Sequence, residues 1–164
     1  MIDLFSEFNR IIEKFQSREV AYSVVGAFAV AVYGGARATQ DMDFLLLSED
    51  EEKIRAVMRE LGYTPNQPWK FENTEITLLR FLRASGESED HYLADILLAD
   101  SERFREIIRK SHEEPWARGF IRVARLKDLI WMKSLRDSHT DRADIEFLKN
   151  IHGSRNDESG KGDL

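Results

Sequence analysis

The chain has 164 residues, of which 42% are hydrophobic and 33% charged, and it carries a net charge of -6. That is the composition of a soluble globular protein, most simply one domain around a single sizeable core. The acidic balance excludes a broad nucleic-acid coat, and no apolar run approaches the roughly 18 residues of a membrane span.

The absence of cysteine excludes disulfides and thiolate zinc sites and suits a reducing cytoplasm. The opening "MIDLFSEFNR" has acids where a signal peptide has a basic stretch, so no signal peptide is expected. Residues 3 to 16 place Leu4, Phe5, Phe8, Ile11, Ile12 and Phe15 at helical spacing, predicting an amphipathic first helix. "VAYSVVG" is β-branched and apolar and predicts a buried strand. "AFAVAVYGG" is too rich in alanine for a strand; a short buried helix starts just after Gly26 and stops at Gly34 and Gly35. Residues 40 to 47 form the second strand. Ser48 stands as N-cap of a helix carrying Ile54, Val57, Met58 and Leu61, which Gly62 ends.

"TPNQPW" is turn-like, with Pro65 and Pro68. "TEITLLRFLRA" and "HYLADILLAD" predict two strands, paired as an antiparallel hairpin across the polar loop "SGESED". Ser101 caps a helix with Phe104, Ile107 and Ile108; "GFIRVAR" is a final strand; helices near 125 to 136 and 141 to 151 close the fold. The expected domain covers residues 1 to 152, and the glycine-rich polar tail from 153 to 164 is expected to be disordered. This order predicts an α+β fold: a mixed central sheet with flanking helices and a helical C-terminal segment.

The chemistry starts at "RATQDMDFLLL", residues 37 to 47. A strand alternates faces, so Asp41 and Asp43 point the same way with Met42 opposite. Paired carboxylates repel and lose hydration, which a divalent cation offsets. Mg²⁺ takes oxygen ligands from one or two carboxylates plus substrate phosphates, and two such ions can clamp a phosphoryl transfer. The plain alternative is a turn carboxylate at the start of a strand. Asp95, inside the apolar "YLADILL", fits as third carboxylate; Asp100 is a weaker candidate that can simply help cap the following helix. Upstream, Gly26 stands between strand and helix, where glycine allows close backbone approach to a phosphate. Its plain alternative is an ordinary strand-to-helix turn.

Lys133 falls on the buried stripe of "LKDLIWMK", so it either snorkels out or meets an anion. Asp141 and Asp144 share a face of the next helix. One reading is a lysine–aspartate pair that locks two helices; the other is a lysine reaching a triphosphate, oriented by Asp141 or Asp144. His91, His112, His139 and His152 lack metal-ligand spacing and are expected at the surface, and Trp69, Trp116 and Trp131 in the core or at its rim. Basic residues gather at Arg103, Arg105, Arg109 and Lys110 and from Arg118 to Lys127, which leaves a local basic patch open, with Trp116 beside Arg118 as a possible contact to RNA.

"VVGAFAVAVYGGARATQDMDFLL" resembles the signature of the nucleotidyltransferase superfamily with the DNA polymerase β-like fold. Within it, the pattern is most similar to bacterial AbiEii-type nucleotidyltransferases of toxin–antitoxin and abortive-infection systems. The resemblance implies that Gly26 and Ala27 contact nucleotide phosphates and that Asp41 and Asp43 bind Mg²⁺. Asp95 matches the third carboxylate, which helps activate the attacking hydroxyl. Arg37 and Thr39 stand just ahead of the aspartates as nucleotide-binding residues, Arg37 either against triphosphate charge or as a carboxylate-pairing surface arginine. Ala27 departs from the family's usual glycine or serine. The closing "DLIWMKSLRDSHTDRADIEFL" is similar to the family's lysine helix, so the resemblance spans roughly residues 18 to 150. It implies Mg²⁺-dependent transfer of NMP from an NTP such as ATP to an acceptor hydroxyl on RNA, a partner protein or a small molecule. The alternative is a catalytically silent nucleotide- or partner-binding module of a toxin–antitoxin pair.

Overall fold

A computed structural model describes residues 3–35, 38–86, 89–117, 119–136 and 138–159. Helix α1 (Leu4–Ser17) is capped by Asp3, whose Oδ1 accepts the Ser6 backbone N–H at 3.0 Å. Its apolar stripe buries Phe8, Ile11, Ile12 and Phe15, and Phe8 stacks on Phe28 and on Phe44 of the sheet. Strand β1 (Tyr22–Val25) passes directly into α2 (Gly26–Val32), which stops where Gly34 takes a φ of +95°. Strand β2 (Asp41–Leu47) follows, then a 3-10 turn at Ser48–Asp50 and α3 (Glu51–Glu60). Ser48 therefore opens the turn rather than capping the helix; Asp50 holds the cap position.

The second half contains β3 (Thr64–Pro65), β4 (Trp69–Lys70), β5 (Thr77–Ala84), β6 (His91–Ala99) and α4 (Glu102–Arg109). Strands β7 (His112–Trp116) and β8 (Gly119–Val123) and helices α5 (Leu126–Ser134) and α6 (His139–Ser159) complete it. The sheet runs β3-β5-β6-β2-β1-β8-β7, with β4 also paired to β5. Strands β2–β6 and β1–β8 are parallel and the other pairs antiparallel, so the sheet is mixed and the fold is α+β. The β5–β6 hairpin forms as the alternation predicts.

Four elements differ from the expectation. Two short strands, β3 and β4, lie in the stretch that reads as a turn, and β7 was not predicted. β3 and β7 stand at the two ends of the sheet and each contains a proline, which an edge strand tolerates because its outer N–H needs no ladder partner. The last helix begins at His139 and runs to Ser159, beyond the predicted end at 151. The Arg155 guanidinium lies 5.4 Å over the Tyr33 ring, a contact to the region after α2 that local composition does not reveal. The final residues 160–164 lie outside the described part. Among the described residues, no helix is long and apolar enough to cross a membrane.

Candidate metal and nucleotide site

The alternation of β2 is plain in its burial. Met42 is fully buried, while Asp41 and Asp43 share the opposite, only partly exposed face. Register then assembles the rest. Asp43 lies opposite Val25 in β1 and Asp95 in β6, and Asp95 lies opposite Arg80 in β5. Directly paired positions put their side chains on one face, so Asp43, Asp95 and Arg80 form a lateral row across three strands. One carboxylate oxygen from each of Asp41, Asp43 and Asp95 lies within 4.8 Å of the others.

Gly26 closes one side of this group. Its φ is +66°, a left-handed conformation costly for other residues, and a Cβ built on it would sit 2.0 Å from Asp43 Oδ2. The carboxylate thus occupies the space that a side chain would take. Ala27, next in α2, is buried. Thr39 donates its hydroxyl to Asp41 Oδ1 at 2.8 Å and fixes that carboxylate from the chain leading into β2. Arg37 lies outside the described residues.

Burial, reinforced by the charges of Asp41 and Asp95, pushes the Asp43 carboxyl up to about 7; Arg136 and Lys133 pull the other way. Asp95 is buried, and both its oxygens accept from Arg80, Oδ1 from Nε at 2.7 Å and Oδ2 from Nη2 at 2.6 Å. Arg80 Nη2 also lies 3.6 Å from Asp41 Oδ2. Asp100, by contrast, is exposed beyond β6 and outside the carboxylate group.

A largely apolar cleft opens beside Asp43. Gly26, Phe71, Leu97 and Met132 contribute to its walls, and Lys133 and Arg136 add two cations. Lys133 makes the lysine–aspartate pair of its first reading. Its buried Nζ bonds Asp144 Oδ2 at 2.9 Å and lies 3.7 Å from Asp141 Oδ1, locking α5 to α6, while the same residue lines the cleft. Arg136, in the turn after α5, bonds Asp141 at 3.1 Å and remains more than half exposed. Asp141 is buried, which opposes ionisation; hydrogen bonds from Ser138 and Arg136 outweigh this and hold its carboxyl below the usual range.

Arg80 and Arg136 were not singled out in the sequence. Alternation of "TLLRFLRA" puts Arg80 on the face opposite Leu79 and Phe81, but only register shows that it meets Asp95. Most of the basic cluster's described residues are taken up in ion pairs: Arg103 and Arg125 with buried Asp128, Arg105 with Glu49, Arg109 with Glu102, Lys110 with Glu106 and Arg122 with Glu113. Arg118 lies outside the described residues. The four histidines are exposed, as expected. Trp116 and Trp131 are half-buried, whereas Trp69 is exposed.

This mixed sheet with helices on its flanks has the nucleotidyltransferase fold. Three solved structures carry that likeness. A lincosamide antibiotic adenylyltransferase, LnuA, solved with lincomycin bound, shares 18% identity over 89% of this chain and 96% of its own, with a TM-score of 0.59. ANT(2")-Ia, solved with adenylyl-2"-tobramycin, shares 16% identity over 94% of this chain and 92% of its own, with a TM-score of 0.61. A Thermotoga maritima protein described as a nucleotidyltransferase shares 15% identity over 94% and 96%, with a TM-score of 0.59. No family model and no curated protein sequence matches the chain.

Proposed function

We propose that this chain is a Mg²⁺-dependent nucleotidyltransferase that moves NMP from an NTP to an acceptor hydroxyl. The observation that carries the proposal is the convergence of Asp41, Asp43 and Asp95 within 4.8 Å, beside a glycine whose missing side chain makes room for Asp43. An all-oxygen, carboxylate-rich donor set suits a hard divalent cation. Asp41, Asp43 and Asp95 would hold Mg²⁺, which supplies charge neutralisation at the transferring phosphoryl group when bound.

The chain's own residues do the rest by positioning. Gly26 and Ala27 bring the backbone at the start of α2 close to the phosphates. Lys133 and Arg136 hold the triphosphate from the α5 side of the cleft, and Arg37 and Thr39 act from the β2 side. The acceptor oxygen attacks the α-phosphorus, the bond to the β-phosphate bridging oxygen breaks, and pyrophosphate leaves. Asp95 takes the proton of the acceptor hydroxyl with an oxygen released from Arg80. Little covalent work falls to the protein in such transfers, so placement and charge account for most of the rate.

The acceptor is the open variable. The AbiEii-like motif favours RNA or a partner protein of a toxin–antitoxin system in the cytoplasm. LnuA was solved with lincomycin and ANT(2")-Ia with an adenylylated tobramycin, and both favour a small hydroxylated molecule. The test is incubation with each labelled NTP and Mg²⁺ in separate reactions containing RNA, candidate partner proteins, lincomycin and tobramycin. Label transfer and pyrophosphate release that vanish in Asp43→Ala support the proposal. Transfer at the wild-type rate in that variant, with its fold intact, sinks it.

A further inference from the structure

We propose that Arg80 is the positioning residue of the carboxylate centre: an internal counter-cation that holds Asp95 in line with Asp43 and competes with the divalent cation for it. This rests on the metal reading above.

Three observations converge on it. First, strand register puts Arg80 directly opposite Asp95, as Asp95 is opposite Asp43, so the guanidinium reaches the centre along the row of carboxylates. Second, its fork engages both Asp95 oxygens at 2.6 and 2.7 Å and reaches Asp41 at 3.6 Å. A bidentate guanidinium fixes the plane of the carboxylate as well as its position. Third, among the described residues no other cation is hydrogen-bonded to these three aspartates. Lys133 and Arg136 are bonded to Asp144 and Asp141 instead.

Three neighbouring carboxylates without a cation would repel one another, and arginine offsets that repulsion because it keeps its proton and its charge. Arg80 therefore supports the centre before metal arrives. It also occupies both oxygens of a proposed ligand, so metal binding has to draw Asp95 away from at least one of them. The Arg80 side chain is 38% exposed while that of Asp95 is 6% exposed. The arginine is thus the partner able to yield, turning toward solvent while the aspartate stays.

This predicts an opposition that a merely structural arginine does not produce. Removing the guanidinium loosens the metal-free centre yet strengthens its hold on a cation. The probe is Mn²⁺, titrated by calorimetry into the metal-free full chain as wild type, Arg80→Gln and Arg80→Lys. Arg80→Gln is expected to bind Mn²⁺ on the order of tenfold tighter, from the loss of one nearby positive charge. Its metal-free form should melt at lower temperature and recover more on adding Mn²⁺ than wild type does. Arg80→Lys keeps the charge and loses the fork, so a smaller tightening of a few-fold is expected. Should Arg80→Gln fail to fold, Arg80→Lys carries the test. Unchanged or weaker Mn²⁺ binding in the folded variant overturns the role of Arg80 and leaves the metal centre standing. No Mn²⁺ uptake by the wild-type chain overturns both.

Discussion

Gly26 and Asp43 share one space: a Cβ on the glycine would lie 2.0 Å from the carboxylate Oδ2. The turn from β1 into α2 and the aspartate of β2 are therefore one constraint, and Gly26→Ala tests both halves of it. The left-handed backbone at φ +66° alone costs about 1–2 kcal/mol with a Cβ present. Displacing Asp43 is expected to lower transfer by about a hundredfold, the scale of a 1 Å misplacement. Urea denaturation and initial rates measured on the same preparation check the two effects separately.

Asp43 gives a second prediction with opposite signs for stability and activity. Burial and two neighbouring carboxylates hold its carboxyl at about 7 in the fold, against an ordinary value of 3.8. The metal-free fold therefore binds an extra proton between those values, and its stability falls as pH rises through that window. Asp43→Asn removes the titration. The variant's metal-free stability should vary less with pH and exceed the wild type's at about pH 8, while its transfer activity is lost. Denaturation midpoints in chelator, taken from about pH 5 to pH 8, read the first half; labelled-NTP transfer reads the second. A variant stabilised but still active would return the two aspartates to a plain strand start.

The two cations of the cleft should separate under mutation because their surroundings differ. Lys133 is buried against Asp144 and Asp141, so Lys133→Met leaves buried acids without their lysine and is expected to destabilise by about 3–5 kcal/mol. Arg136 is more than half exposed and makes one bond to Asp141, which keeps its Ser138 partner. Arg136→Ala should cost about 1 kcal/mol or less in stability. It should raise KM for the NTP with a smaller change in kcat, the pattern of lost ground-state binding. Thermal melts and steady-state kinetics distinguish the pair.

What the sequence revealed of this site was its local part. Alternation put Asp41 and Asp43 on one face, and helical spacing marked Lys133 as a lysine on a buried stripe. Asp95 stood out because an aspartate amid aliphatic neighbours needs a partner. The partner itself, Arg80, depended on the register of β5 against β6, which no local period specifies. The same limit hid β3 and β7: pairing at a sheet edge creates such short, proline-bearing strands against their intrinsic preference. Arg136 was invisible for a related reason, since its place in the cleft follows from how α5 turns into α6.

Glu7 offers a test of the scaffold apart from the chemistry. It lies on the buried stripe of α1, at 3% exposure, and accepts from Tyr63 at 2.8 Å, from Arg10 at 2.9 Å and from Arg83. Burial pushes its carboxyl up, but hydrogen bonds from Arg83, Tyr63 and Arg10 outweigh it and hold the group below its usual 4.5. The folded value is the lower one, so this stabilisation is fully present above about pH 4.5 and is lost as pH falls through the folded value. Glu7→Gln keeps the shape and removes the charge, leaving Arg83 and Arg10 without their anion. Because Arg83 is partly exposed, a loss of about 2–4 kcal/mol is expected at neutral pH, somewhat below that of a fully buried pair. The gap between variant and wild type should narrow as pH falls from about 4.5 through the lowered folded value, where the wild-type carboxylate also takes up its proton. Urea midpoints across that range measure it. Transfer per folded molecule should stay unchanged, because Glu7 contacts neither the carboxylate row nor the cleft; a fall in that quantity would tie α1 to the site in a way that its contacts do not.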